Sequence, residues 1–230
     1  MDFSYLDRNV AEVRAQIARA MAEVGRTDEV AMIAAVKSGE VDEINYLHRA
    51  LGVNDVGENR VQQLLERYDR LDKEGLRIHF IGHLQTNKVK YIIDKVHMIH
   101  SVDSERLAAE IDRQAAKHGI VMNVLVEVNV GREENKDGVM PEEAAALCLA
   151  VTKYPNLSLK GLMTMAPVCE NKAEYRKYFD ELSALALDIW QETLDNNEKP
   201  VLSMGMSGSF PEAIASGATA VRVGRRLFEK

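Results

Sequence analysis

The stretch VLSMGMSGSFPEAIASGATAVRVG, residues 201–224, reads as a strand, a turn, a helix and a second strand. VLSMGM and TAVRVG are short apolar runs typical of buried strands, and the segment from Phe210 through Ala215 is helix-like. Two strands joined through a helix form a right-handed unit in which the strands are parallel. This stretch therefore predicts a parallel sheet covered by helices.

The same alternation extends back to the start of the chain. VAMIAAVK, residues 30–37, is too short for a confident helix and apolar enough for a buried strand. Further strand-like runs are GVNDVGE, RIHFIG, HMIHSV, VMNVLVEVNV and LSLKGLMTM. Helix-like stretches begin near Val41, Asn59, Gln85, Asp103, Pro141 and Ala173. Eight strands separated by helices in 230 residues predict a (β/α)₈ barrel of the TIM type.

An extra helix precedes the first strand, because an apolar stripe at helical spacing ends near Gly25. The stripe consists of Leu6, Val10, Val13, Ile17, Met21 and Val24. Later helix boundaries are also marked: Asp103 is a candidate N-cap, Gly119 a candidate stop and Pro141 a first-turn residue. The alternative fold is an open doubly wound sheet, but no G-x-G-x-x-G follows the first strand. We expect residues 1–230 to form one domain, because no linker or repeat divides them.

Composition narrows the functional classes. A net charge of −7 argues against a nucleic-acid partner, which selects for a basic surface. No apolar run approaches the roughly 18 residues that a membrane span needs, and the start MDFSYLDRNV lacks a secretory apolar segment. The two cysteines, Cys148 and Cys169, form no disulfide framework. These features predict a cytoplasmic protein with no membrane partner, and a monomer is the default expectation.

Polar residues follow the predicted strands at the end where barrels of this kind carry their chemistry. In strand order they are Lys37, Glu58 and Asn59, Gly82 and His83, Ser101 and Asp103, Asn129, Thr164 and Met165, Ser207 and Gly208, and Arg222 and Gly224. Most lysines extend into water. An amine held in a partly apolar pocket becomes a nucleophile, which is what a Schiff base with an aldehyde cofactor requires.

If that cofactor is pyridoxal 5′-phosphate (PLP), a phosphate site must lie near Lys37. Ser207 and Gly208 stand just before a helix, where a hydroxyl, a close backbone approach and a helix start together form an anion site. Gly224 and the N–H of Arg225 are placed to close on the same anion. Taken singly these glycines only make turns; the combination with Lys37 favours a phosphate site.

Two histidine pairs were considered as metal ligands. His79 and His83 are four residues apart, and His97 and His100 are three apart. On strands such spacings hold the imidazoles roughly 10–13 Å apart, too far for one ion. We therefore expect no metal site from these pairs.

The residues also carry a family resemblance over nearly the whole chain. The matching segments are IAAVK at 33–37, GENRVQQ at 57–63, HFIGHLQTNKVK at 79–90, HSVDSERLA at 100–108, EVNVGREENKDGV at 127–139, LKGLMTMAP at 159–167 and LSMGMSGSFPEAIASGATAVRVGR at 202–225. The chain resembles the pyridoxal phosphate homeostasis protein family, which is similar to the N-terminal barrel of alanine racemase. The resemblance implies PLP as the cofactor, held as a Schiff base on Lys37.

The resemblance also implies roles for other positions. Ser207 and the backbone at Gly208, Gly224 and Arg225 would bind the phosphate. Arg222 would face the pyridine nitrogen, and Asn59 and His83 would lie near the ring. The family lysine usually stands in a string such as VSKTKP, whereas this chain has VKSGEV and lacks the proline. The departure concerns the loop after the first strand and leaves the lysine in place.

The implied function is a PLP carrier or buffer in vitamin B6 homeostasis that supplies PLP-requiring apoenzymes, with no robust turnover. An arginine beside the pyridine nitrogen disfavours its protonation and weakens the ring as an electron sink. We also expect no further β domain after Lys230, so that the barrel mouth stays open. The alternative is a PLP-dependent amino-acid racemase-like enzyme, and a third class is a scaffold without cofactor, which would be colourless.

Overall fold

The computed structural model describes residues 2–194 and 198–230 and forms a closed parallel barrel of eight strands in sequence order. The strands are β1 (Ala31–Ala35), β2 (Asp55–Glu58), β3 (Arg77–Phe80), β4 (Met98–Val102), β5 (Met122–Glu127), β6 (Leu157–Met163), β7 (Val201–Met206) and β8 (Ala220–Val223). Each strand pairs with its neighbour, and β8 closes on β1 with Ala31 opposite Ala220. The (β/α)₈ prediction is confirmed and the open-sheet alternative is wrong.

Helices surround the barrel and connect successive strands. They are α1 (Ser4–Glu23), α2 (Val41–Arg49), α3 (Val61–Arg67), α4 (Val89–Ile92), α5 (Glu105–His118), α6 (Pro141–Val151), α7 (Lys172–Asp188), α8 (Phe210–Ala215) and α9 (Arg225–Phe228). A 3₁₀ turn at Thr86–Lys88 precedes α4, so the α-helix begins later than the Gln85 predicted for it. None of these helices is long and apolar enough to cross a membrane.

The extra N-terminal helix is confirmed. The apolar stripe of α1 is buried from Leu6 through Ile17, whereas Val24 lies beyond the helix and is 41% exposed. α1 contacts α8 and α9, and Asn9 Nδ2 donates to the carbonyl of Leu227 at 3.0 Å. This helix therefore covers the closing seam of the barrel and fixes the segment that follows β8.

Helix ends follow local side-chain chemistry. Gly119 ends α5 in the left-handed region at φ 64°, where a side chain would be strained. The expectation that Asp103 caps α5 is wrong. The helix begins at Glu105, so the residue before it is Ser104, whose Oγ accepts from the Leu107 N–H at 3.3 Å. Asp103 stays at the barrel rim, where its Oδ1 accepts from the Ser104 hydroxyl at 2.9 Å.

Candidate functional site

A cavity of about 640 Å³ opens at the carboxyl ends of the strands, within the size range of small-molecule sites. The family resemblance implies eight PLP-binding residues, and seven of them line this cavity: Lys37, Asn59, Ser207, Gly208, Arg222, Gly224 and Arg225. Apolar walls come from Ile81, Met165, Met206 and Phe228. Residues from the first, second, seventh and eighth strand ends thus meet in one concave site.

Lys37 lies in the turn after β1 and is exposed. Its backbone carbonyl accepts from Gln63 Nε2 at 2.9 Å, which ties the turn to α3. The preceding residue Val36 is buried and the cavity that Lys37 lines has apolar walls, so the lysine stands between water and a partly apolar pocket. Lys37 is one of the residues that line the cavity.

Ser207 connects the ends of β7 and β8. Its Oγ accepts from the Gly224 N–H at 3.2 Å, which leaves the hydroxyl proton to donate elsewhere. A Cβ added at Gly224 would lie 3.0 Å from the Ala35 carbonyl oxygen, whereas one at Gly208 would meet nothing within 4 Å. Gly224 is needed for close packing, and Gly208 leaves open space beside the hydroxyl where an anion fits.

Asn59 stands at the end of β2 with its side chain toward the cavity. Its Oδ1 is buried and has no hydrogen-bond partner among residues 2–194 and 198–230. Buried polar atoms are nearly always paired, so this one points to a missing donor. The neighbouring Gly82 is required sterically, because a Cβ there would lie 2.2 Å from the Asn59 carbonyl oxygen.

Arg222 is buried on β8 and held by three hydrogen bonds. Its Nη1 donates to the carbonyl and the Oγ of Ser203, and its Nη2 donates to the Thr164 carbonyl, each at 2.7 Å. Burial lowers the pKa of Arg222 to about 10, with the nearby Glu127 acting in the opposite direction. The guanidinium therefore remains a fixed cation at neutral pH.

Four further polar side chains continue from Arg222 through the barrel interior. His100 Nδ1 lies 3.0 Å from Ser203 Oγ, and its Nε2 lies 2.9 Å from Nδ1 of His79. His79 Nε2 lies 2.9 Å from Oδ1 of Asp55 at the amino-terminal end of β2. We call Arg222, Ser203, His100, His79 and Asp55 the interior relay.

One set of proton positions satisfies every contact in the interior relay. Arg222 donates to Ser203, so the Ser203 hydroxyl donates to His100 Nδ1 and the proton of His100 sits on Nε2. His79 then accepts at Nδ1 and donates from Nε2 to Asp55. Burial lowers the pKa of His100 well below its usual range, and the positive charge of Arg222 acts in the same direction. In this set the hydrogen bonds run in one direction, from Arg222 to Asp55, and His100 is neutral.

The interior relay was not predicted from the sequence. Histidine spacing along a single strand does not reveal it, because the pair that meets is His79 on β3 and His100 on β4. The usable signal was a lone polar residue inside an apolar strand, as in the serine of VLSMGM. Such a residue facing the interior of a barrel needs partners there.

His83 is placed differently from the other predicted residues. It is not among the residues lining the cavity and instead lies at the rim, with Nδ1 2.9 Å from Oδ1 of Asp137. The structure therefore brings Asn59, but not His83, together with Lys37. Neither Asp137 nor Glu127 was singled out by the sequence analysis.

A closed barrel with a lysine, the Ser207 hydroxyl and a buried arginine around one cavity belongs to the class of cofactor-binding barrels. The family model described as alanine racemase, N-terminal domain, matches residues 8–229. Within that class, the chain belongs to the pyridoxal phosphate homeostasis protein family. A protein of that name from Aquifex aeolicus is 42% identical over 219 residues, covering 95% of both chains.

Solved structures agree with this assignment. A protein of unknown function from Bifidobacterium adolescentis superposes with a TM-score of 0.90 at 32% identity, over 99% of this chain and 97% of that one. PipY from Synechococcus elongatus, solved with PLP bound, matches with a TM-score of 0.77 at 31% identity. That match covers 93% of this chain and 100% of PipY.

Proposed function

We propose that this protein binds PLP covalently, as a Schiff base on Lys37, and acts as a carrier or buffer in intracellular PLP homeostasis. The observation that carries the proposal is the convergence of Lys37, Ser207 and Arg222 on one cavity. The PLP-bound structure of PipY, a full-length relative, supports the same cofactor. The aldehyde of PLP condenses with a primary amine and releases one water.

The residues present fit each part of that ligand. Ser207, with the backbone at Gly208, Gly224 and Arg225, would hold the phosphate. Asn59 offers an unpaired buried acceptor for a hydroxyl donor. Arg222 would face the pyridine nitrogen as a donor, since its charge persists at neutral pH.

Arg222 also supports a carrier without robust turnover. Carbanion chemistry on PLP needs a protonated ring nitrogen as electron sink, and a fixed guanidinium beside it opposes a second positive charge. The exposed Lys37 leaves the bound aldehyde carbon open to exchange with amines. In this proposal the protein works as a cytoplasmic monomer and passes PLP to apoenzymes that require it.

The test is an absorbance spectrum of the purified chain with added PLP, before and after borohydride reduction, followed by peptide mapping. We expect a reducible chromophore and a pyridoxyl group on Lys37. Incubation with single amino acids then separates carrier from enzyme: a spectral change without product supports the carrier, whereas turnover with loss of the α-proton supports the racemase-like alternative.

A further inference from the structure

The turn that carries Lys37 is held by two side chains of α3. Arg67 Nη1 donates to the carbonyl oxygens of Val36 and Gly39, at 3.1 Å each. Gln63 Nε2 donates to the Lys37 carbonyl at 2.9 Å. Gln63 and Arg67 stand four residues apart on the helix, so both can face the turn. Three carbonyls of the turn are thus bound from one side.

Arg67 is itself fixed by Glu58, the last residue of β2. The Arg67 Nε donates to Glu58 Oε1 at 2.5 Å, and its Nη2 makes an ion pair with the same oxygen. With Nη1 on the turn and Nε on the carboxylate, the planar guanidinium is held in one orientation. The side chains of Glu58, Gln63 and Arg67, which we call the turn clamp, therefore tie the turn after β1 to the end of β2.

The ion pair of the turn clamp is costly to bury. Glu58 is fully buried and Arg67 is 6% exposed. Glu58 Oε2 has no hydrogen-bond partner among residues 2–194 and 198–230. Taking two charges out of water often costs more than their attraction returns, and apolar side chains of similar volume are often at least as stabilising. Stability alone therefore does not explain the pair, whereas a fixed orientation of Arg67 does.

The turn needs an outside constraint because its own sequence is permissive. Residues 36–41 read VKSGEV, with a glycine two positions after Lys37 and no proline. Glycine adds backbone freedom, whereas proline would remove it. A Cβ at Gly39 would lie 2.5 Å from Cε1 of Phe228, so the glycine lets this ring close the cavity wall. The rigidity of the turn is then left to its contacts with α3.

We propose that Arg67 is a positioning residue for Lys37: oriented by Glu58 and assisted by Gln63, it holds the turn so that the lysine amine meets the aldehyde carbon of PLP. This role rests on the proposed function, and Arg67 acts only through the turn, since it is not among the residues that line the cavity. In the condensation the neutral amine adds to the aldehyde carbon and a carbon–nitrogen double bond forms. The aldehyde oxygen leaves as water with the two amine protons. A small misplacement of one reactant slows such a step strongly.

The test compares two ligands that share the ring and the phosphate: PLP carries the aldehyde, and 4′-deoxypyridoxine 5′-phosphate has a methyl group in its place. In Arg67→Lys and Gln63→Ala we expect Schiff-base formation to slow about tenfold, while affinity for the deoxy ligand changes by less than about twofold. Arg67→Lys keeps a cation opposite Glu58 but loses the planar fork that contacts the turn and the carboxylate together. Stopped-flow absorbance of the full chain freed of PLP measures the rate, and equilibrium dialysis the affinity. Gln62→Ala, at an exposed position of the same helix, should behave as the wild type does.

Hydrogen exchange of the PLP-free chain gives a second measurement. Amides of residues 37–40 should exchange faster in Arg67→Lys than in the wild type, with β1 and β8 unchanged. If Arg67→Lys folds poorly, Glu58→Gln combined with Arg67→Met removes both buried charges together, and the same slow Schiff-base formation is expected.

Equal rates of Schiff-base formation in the variants and the wild type overturn the positioning role. A parallel loss of affinity for the deoxy ligand also overturns it, because the cavity itself would then have been damaged. Both results leave the proposed function standing, since the wild type still carries pyridoxyl on Lys37. A wild type without pyridoxyl on Lys37 overturns the proposed function, and the positioning role with it.

Discussion

Nδ1 of His79 and Nε2 of His100 lie 2.9 Å apart and share a single proton inside the barrel. Each imidazole is also engaged on its far side, His79 by Asp55 and His100 by Ser203. A second proton between the two rings would leave two N–H groups facing each other. A proton taken up by His100 at Nδ1 would meet the donating hydroxyl of Ser203, so the hydrogen bonds of the interior relay would have to rearrange.

This relationship predicts a loss of stability in mild acid. The pKa of His100 is well below 6.5 in the folded protein, so the unfolded chain takes up a proton that the folded chain refuses. Stability is full above about pH 6.5 and falls by up to about 1.4 kcal/mol per pH unit below it. Urea unfolding at a series of pH values measures this slope, and His100→Gln should reduce it.

The contribution of Glu127 to the pH dependence must be removed from that experiment by substitution. Its pKa in the folded protein is raised from 4.5 to about 7. The stability that Glu127 contributes is therefore present below pH 4.5 and is lost as the pH rises toward 7, whereas the contribution of His100 is lost as the pH falls. The comparison is therefore made in a Glu127→Gln background. His118→Gln, at the exposed end of α5, is the matched control. An equal slope in His100→Gln and its parent would show that His100 is not the responsible group.

Lys37→Ala should abolish covalent PLP while leaving the barrel folded, because the Lys37 side chain is exposed and the hydrogen bond that ties its turn to α3 uses the backbone carbonyl. Borohydride reduction followed by mass spectrometry measures the covalent link, and far-UV circular dichroism checks the fold. Lys90→Ala, another exposed lysine, should retain the link. Recovery of pyridoxyl on a different lysine in the wild type would contradict the assignment.

Ser207→Ala should weaken retention of PLP more than retention of pyridoxal, which lacks the phosphate. A lost hydrogen bond to an ionised group costs about 1.5–3 kcal/mol, or roughly ten- to a hundredfold in affinity. Equilibrium dialysis with the two ligands measures the difference. Equal weakening of both would mean that Ser207 contacts the ring or only supports Gly224.

Arg222 decides between carrier and enzyme. We expect the wild type to exchange the α-proton of alanine with solvent deuterium far below ordinary enzyme rates of about 1–1000 per second. Arg222→Glu should favour a protonated ring nitrogen and make the exchange detectably faster in an NMR time course. Exchange at enzyme rates in the wild type would instead establish the racemase-like alternative.

The structure dictates how this variant is made. A carboxylate at position 222 would face the Thr164 and Ser203 carbonyl oxygens and the nearby Glu127. Combining it with Glu127→Gln removes the like charge, and circular dichroism checks that the barrel persists. Arg222→Lys keeps the cation and serves as the control, since its exchange should stay slow.

The sequence was sufficient for the barrel and for most of the cavity. Strand ends in a closed parallel barrel meet at one rim whatever their order, so Lys37, Ser207 and Gly224 could be placed together without knowing the register. Gly119 and Pro141 marked helix boundaries through local backbone chemistry alone. These features depend on short stretches of chain.

What could not be predicted depends on contacts across the barrel. The meeting of His79 with His100, and of His83 with Asp137, joins residues from different βα units. Their distances depend on strand stagger and loop path, which local propensity does not encode.

The uniform direction of the hydrogen bonds in the interior relay restricts how this barrel can change during evolution. Exchanging His79 or His100 alone leaves a buried partner unpaired, at a cost of about 1–3 kcal/mol, whereas replacing both removes the two members of their contact together. Substitutions at the two positions are therefore strongly epistatic. Substitutions in this interior are expected to occur as paired replacements.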